Sequence, residues 1–154
     1  MLIARANYDD PALQAFLRAH LDDIAPTAPS GSQHALTIDE MRVSPGFRLW
    51  VAHLDDELVG TVGLGPVTEG HEELKSMRTA PHRRGSGIGR ALLDHALADA
   101  KGRGVHRVSL ETGSMAHFAP ARTLYLRAGF VECGAFGAYP ADDPNSTFMT
   151  MMVD

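Results

Sequence analysis

Cysteine is nearly absent: Cys133 is the single one among 154 residues. That excludes an internal disulfide and any cysteine-rich zinc site. Beside Phe130 it reads as a small packing residue rather than a nucleophile. Long apolar runs are missing too. None approaches ~18 residues, so no transmembrane helix and no membrane partner are expected. The opening "MLIARANYDD" lacks a basic stretch followed by an apolar one. No secretory leader is therefore expected, and a cytosolic location fits. There is no internal repeat and no His-Glu-x-x-His pattern, so no metal is expected.

Positive charge is scarce, with 14 Lys and Arg against 19 Asp and Glu, and what there is clusters. Ten of those basic residues lie between Lys75 and Arg127, where only Asp94, Asp99 and Glu111 oppose them. A basic segment in an otherwise acidic chain points to one specific anion rather than to a general grip on nucleic acid. The length suits one domain over residues 1–154, large enough to bury roughly 70% of the unfolded surface.

"MLIARAN" alternates like a strand, and "PALQAFLRAHLDDI" carries Leu13, Phe16, Leu17 and Leu21 at helical spacing. "APTAPSGSQ" is a loop by composition. "TIDEMR" has Thr37 and Glu40 in capping-box spacing. Two apolar strands flank the turn at Asp55 and Asp56. "EELKSMRT" is a strand ended by Pro81. A helix to about Lys101 follows, with Ile88, Leu92, Leu93, Ala96, Leu97 and Ala100 on one stripe and Gly102 or Gly104 at its end. "VHRVSLE" is a strand, "FAPARTLYLRAGF" a helix stopped at Gly129, and "FVECGAF" and "STFMTMMV" are closing strands. This order implies an α/β sheet protein with helices on both faces.

"HRRGSGIGRALL" places three glycines between arginines at the mouth of a helix. The first N–H groups of a helix lack intrahelical partners, and the dipole adds positive charge, so a phosphate binds there. Glycine admits it closely because no Cβ intervenes. A P-loop requires a lysine, and none lies between Lys75 and Lys101. A dinucleotide fingerprint requires Gly or Ala at its sixth position, where Arg90 or Leu92 stands. What fits is Arg-x-x-Gly-x-Gly, from Arg84 to Gly89.

That pattern, opening a helix after a strand, resembles the coenzyme A pyrophosphate loop of the GNAT superfamily of N-acetyltransferases. "ARTLYLRAGF" matches a second signature of the family, Ala-x-x-Leu-Tyr-x-x-x-Gly-Phe, in the expected order. The resemblance spans essentially the whole chain and is weakest before Phe47. It extends to a subgroup of small bacterial proteins and brings no substrate with it. It implies a single-domain fold with a mixed, mostly antiparallel sheet.

The resemblance also implies roles. Backbone amides from Arg84 through Gly85, Ser86, Gly87, Ile88 and Gly89 to Arg90 would hold the pyrophosphate, with Ser86 adding a hydroxyl contact. Met77, Arg78 and Thr79 would form a splayed strand that pairs with the pantetheine arm. Tyr125 would sit near the thioester sulfur, where a phenol donates a proton to the leaving thiolate. Phe118 stands where many relatives carry asparagine, so that polar contact with the cofactor is lost or supplied elsewhere, Ser114 being one source. For the general base, Glu73 ranks slightly ahead of Glu111, with His71 and His117 as alternatives and Glu72 beside them. Asp39, Glu40, Asp142 and Asp143 are placed to hold a cationic amine, and His34 or Arg42 a carboxylate. The implied activity is acetyl transfer from acetyl-CoA to a small primary amine, in a protein that pairs as a homodimer. The rivals are a coenzyme A-binding sensor or partner-binding module, and a protein N-acetyltransferase.

Overall fold

Residues 1–29, 31 and 34–154 are described in a computed structural model. The chain runs β1 (Leu2–Arg5), α1 (Pro11–Ile24), α2 (Ile38–Val43), β2 (Arg48–Leu54), β3 (Glu57–Thr68) and β4 (His71–Thr79). It continues with α3 (Ile88–Gly102), β5 (Arg107–Gly113), α4 (Ala119–Ala128), β6 (Val131–Cys133) and β7 (Ser146–Met152). The strands form one sheet in the order β1-β2-β3-β4-β5-β7-β6. Every neighbouring pair is antiparallel except β4 with β5.

Local chemistry sets the ends of these elements. Asp10 caps α1 by accepting from the Ala12 N–H, and Pro11 takes the first helical position, where its missing N–H costs nothing. Thr37 and Glu40 form the expected capping box on α2. Asp55 and Asp56 both adopt left-handed backbone in the β2–β3 turn, as a two-residue hairpin requires. The loop expected over residues 25–33 opens as a 3₁₀ turn at Ala25–Thr27, and its residues 30, 32 and 33 lie outside the described residues.

β2 shows how the layers are built. Leu49 and Val51 pack with Leu13 and Leu17 of α1 and Met41 of α2. Trp50 and Ala52, on the opposite face, join Leu92, Leu93 and Ala96 of α3. Gly60 of β3 permits this approach: a Cβ there would lie 2.6 Å from Leu92 Cδ1 and 3.0 Å from the Arg78 carbonyl oxygen. Gly60→Ala should therefore lower stability by about 2 kcal/mol, read as a lower urea midpoint with an unchanged slope.

Two expectations need correction. Phe118 is not in a helix that starts with it. It closes a 3₁₀ turn, Ala116–Phe118, and α4 begins at Ala119. Cys133 is only half-buried, because the three-residue strand β6 is the sheet edge, where Val131 is also exposed.

Candidate active site

The opening in the sheet comes from incomplete pairing. β4 and β5 pair only over His71–Leu74 and Arg107–Leu110, and then part. β5 stays bonded to β7 through Gly113, while β4 follows β3. A bulge turns β4 further. Lys75 faces Gly63 and Arg78 faces Thr61, so β4 holds one extra residue there. Ser76 takes left-handed backbone at φ 54°, and its carbonyl accepts from Thr61 Oγ1 at 2.7 Å.

One extra residue exchanges the two faces of a strand. Before the bulge, Leu74 packs into the α3 core, and Glu72 receives a bidentate pair from Arg103 at 2.7 and 2.8 Å. After it, Met77 and Thr79 turn toward the start of α3, both within 3.6 Å of where a Gly89 Cβ would stand. Arg78 goes the other way. It donates to Asp23 Oδ2 at 2.8 Å and to His20 Nδ1 at 3.3 Å, and stacks on Phe16. Its side chain is thus committed to α1, leaving its backbone to the opening.

The glycine stretch forms a bare helix mouth. Gly85 and Gly87 sit at φ 79° and 86°, and a Cβ on either would meet nothing within 4 Å. Gly87 caps α3 without a side-chain bond, and the first intrahelical bond runs from the Ala91 N–H to its carbonyl. The N–H groups of Ile88, Gly89 and Arg90 are left facing outward. Ser86 turns its hydroxyl back to the Arg83 carbonyl. Arg83 is paired with Glu57 and Arg90 with Asp94. Among the described residues, Arg84 and Arg127 have no carboxylate partner within 4 Å, and both line the groove. Unpaired amides, two free guanidiniums and a space that side chains leave empty suit a pyrophosphate.

Two cavities meet along this cleft. The larger, about 480 Å³, runs from Arg84 and Gly87 past Thr79 and Leu124 to Tyr125. The smaller, about 150 Å³, is lined by Glu73, Lys75, Glu111, His34 and Tyr139. Met77, Phe118, Tyr125 and His20 border both. Phe118 holds its place by packing on Gly113, where a Cβ would lie 2.2 Å from its ring. Tyr125 is buried, with its ring edge-on to Phe130, and burial raises its phenol above the ordinary value of 10. Burial first and the Arg78 charge second push His20 down to about 4. At pH 7 it is therefore neutral, and the guanidinium at Nδ1 leaves its proton on Nε2.

The carboxylates of the smaller cavity differ in setting. Glu73 pairs with Lys75 at 3.3 Å and accepts from the Tyr139 hydroxyl. Burial raises Glu111 to about 7, with Glu73 and Asp143 adding to the rise and Lys75 opposing it. A carboxyl titrating near neutrality can take a proton from an ammonium and release it.

Other sequence candidates lie elsewhere. Glu72 serves the α3 clamp, and Arg42 is bound to Asp9 and the Tyr8 carbonyl. Asp39 and Glu40 form the first turn of α2. His71 shares a hydrogen bond with Ser109 at 2.7 Å, and Ser114 one with Thr147. His117, by contrast, lines the larger cavity and stacks edge-on against Phe118. Sequence reasoning missed Ser76, Lys75, Tyr139 and His20. Ser76 carries no signal, since a bulge at serine looks like any strand residue. Tyr139 opens the segment that holds Asp142 and Asp143, and its own position carries no motif that would mark it. Among the described residues no group of side chains is arranged to hold a metal, and no helix is long and apolar enough to cross a membrane.

Residues 12–130 match the family described as Acetyltransferase (GNAT) family. The uncharacterized N-acetyltransferase YsnE of Bacillus subtilis is 41% identical over 136 residues, which cover 88% of this chain and 89% of that one. A solved structure from Klebsiella pneumoniae is 28% identical with a TM-score of 0.78, covering 99% of this chain and 97% of that one. The crystal structure of aminoglycoside 6'-N-acetyltransferase complexed with coenzyme A shares the fold, with a TM-score of 0.75 at 20% identity over 100% of this chain and 98% of that one.

Proposed function

The chain belongs to the acetyltransferase (GNAT) family, and from that premise we propose that it transfers acetyl from acetyl-CoA to the primary amine of a small molecule. Residues 1–154 act as one catalytic domain, by direct attack in a ternary complex. The observation that carries this reading is the pair of adjoining cavities, which share Met77, Phe118 and Tyr125 as a common wall and lead from the bare mouth of α3 to Glu111. Acetyl-CoA, when bound, supplies an activated thioester.

The backbone amides from Arg84 to Arg90 hold the pyrophosphate, with Arg84 and Arg127 adding charge. The backbone of Met77, Arg78 and Thr79, turned outward by the bulge, pairs with the pantetheine arm. Glu111 takes the first proton from the acceptor ammonium and passes it to solvent. The freed nitrogen attacks the acetyl carbon, the N–C bond forms as C–S breaks, and the second proton leaves the nitrogen as the sulfur gains one. Glu73, engaged by Lys75 and Tyr139, holds the pocket wall rather than serving as base. Tyr125 donates a hydrogen bond to the departing sulfur. Its raised phenol holds its proton more tightly than a thiol of pKa ~8.5 does, so its contribution is that bond more than full transfer.

The test is thiol release from acetyl-CoA over a panel of amino acids, polyamines, aminoglycosides and short peptides. At least one amine should accelerate release. Tyr125→Phe should lose about tenfold in kcat, the worth of one hydrogen bond to a charged group, with coenzyme A affinity unchanged. Tight coenzyme A binding without turnover on any amine would make the protein a coenzyme A sensor. Failure to bind coenzyme A would remove the reading altogether.

A further inference from the structure

Among the described residues, Lys75 is the only lysine or arginine lining the smaller cavity. An ammonium has three N–H donors. Those of Lys75 have three acceptors: the Tyr139 hydroxyl at 2.9 Å, the His34 carbonyl at 3.2 Å and Glu73 Oε2 at 3.3 Å. Tyr139 in turn donates to Glu73, closing a triangle that cancels its own charge. Both charged side chains in it are largely covered, at 16% and 15% exposed. Lys75 therefore has neither a free donor nor an uncompensated charge for a substrate carboxylate.

The remaining carboxyl on this wall is Glu111, which burial holds near 7, so it carries its negative charge above neutral pH, with Asp143 acting on it from nearby. A second carboxylate brought in beside Glu111 would meet a like charge in a partly desolvated cavity where Lys75 is already engaged by Glu73. A cationic arm would meet the opposite. His34 adds an independent sign of a ligand: among the described residues its Nε2 is buried without a hydrogen-bond partner, and the residue lines the same cavity. Buried polar atoms are nearly always paired, so a polar group of the occupant is the natural partner. At about 150 Å³ the cavity holds roughly the bulk of a benzene ring, which suits an aminoalkyl arm.

Resting on the acetyl-transfer reading above, we propose that this cavity selects small cationic amines that carry no carboxylate beside the reacting nitrogen, and rejects the corresponding α-amino acids. The discriminating element is the Lys75–Tyr139–Glu73 triangle, which consumes the cation that a carboxylate would need.

Agmatine and arginine differ by that carboxylate alone. Calorimetric titration of each into the protein saturated with coenzyme A reads the selectivity without turnover, and acetylation assays run beside it. Agmatine should bind at least about 30-fold more tightly than arginine, the scale of one like-charge contact in such a site. Glu73→Gln leaves Lys75 uncompensated and should shrink that ratio at least about tenfold, chiefly because arginine gains affinity. Arginine binding as well as agmatine would overturn the proposal, as would neither binding in the millimolar range. Selective agmatine binding without its acetylation would sustain the proposal while removing the transferase reading.

Discussion

Glu111→Gln should lower kcat/KM for the amine by about 10²–10³-fold while making the protein more stable above neutral pH. The two effects share one cause. Burial raises Glu111 from 4.5 to about 7. The base must be unprotonated, so in the parent enzyme activity climbs with pH along a limb centred near 7. Glutamine removes that limb along with the rate. The stability effect runs the other way. A carboxyl whose pKa is raised on folding binds its proton more tightly in the folded chain, so stability falls as pH rises from about 4.5 to about 7 and stays low above. Glutamine never ionises and escapes that loss. The full shift corresponds to about 3 kcal/mol, and with partial solvent access about 2 kcal/mol should be recovered at pH 8. Denaturant titrations at pH 5 and pH 8 read it directly: the variant's advantage should appear at pH 8 and fade at pH 5. Lys75, Glu73 and Asp143 are the other charges acting on this carboxyl. Glu73→Gln removes a neighbour that raises Glu111, so it should move the limb to lower pH and keep it. Loss of the limb in Glu73→Gln, with its survival in Glu111→Gln, would transfer the base to Glu73.

Such a pair of outcomes was out of reach of the sequence, and the reason is physical. Periodicity and end signals are local, so the fold was legible: the stripe of α3, the capping box at Thr37, the aspartate turn and the stop at Gly129 all form where the pattern puts them. The helix mouth was legible for the same reason, since the placing of Gly85 and Gly87 is itself the device. The difference between Glu73 and Glu111 is set by partners distant in the chain. Tyr139 stands sixty-six positions from Glu73, and its engagement of that carboxylate is what leaves Glu111 as the odd charge. The bulge at Ser76 is a tertiary effect as well. Its left-handed backbone is held by Thr61 across the sheet, and only through it do Met77 and Arg78 exchange faces. Met77 and Thr79 still share a face, because strand alternation resumes once the extra residue has passed.

The helix mouth permits a matched comparison within the same helix. Gly87 precedes α3 at φ 86°, and Gly104 follows it at φ 82°. At each, an added Cβ would meet nothing within 4 Å. Alanine at either position therefore carries a similar backbone strain, about 1 kcal/mol, and no steric clash within the protein. Stability should fall alike in Gly87→Ala and Gly104→Ala. Ligand affinity should not. The open space at Gly87 lies beside the free N–H groups of Ile88, Gly89 and Arg90, where a methyl group keeps a pyrophosphate from closing on the amides. Losing two charge-assisted bonds there amounts to about 3 kcal/mol, so the Kd for coenzyme A should rise about 100-fold in Gly87→Ala and stay unchanged in Gly104→Ala. Calorimetric titration with coenzyme A, read beside the two urea midpoints, separates strain from recognition. Equal affinity in both variants would mean that the open space at Gly87 serves only the turn, and the anion would then have to be sought along Arg84 and Arg127.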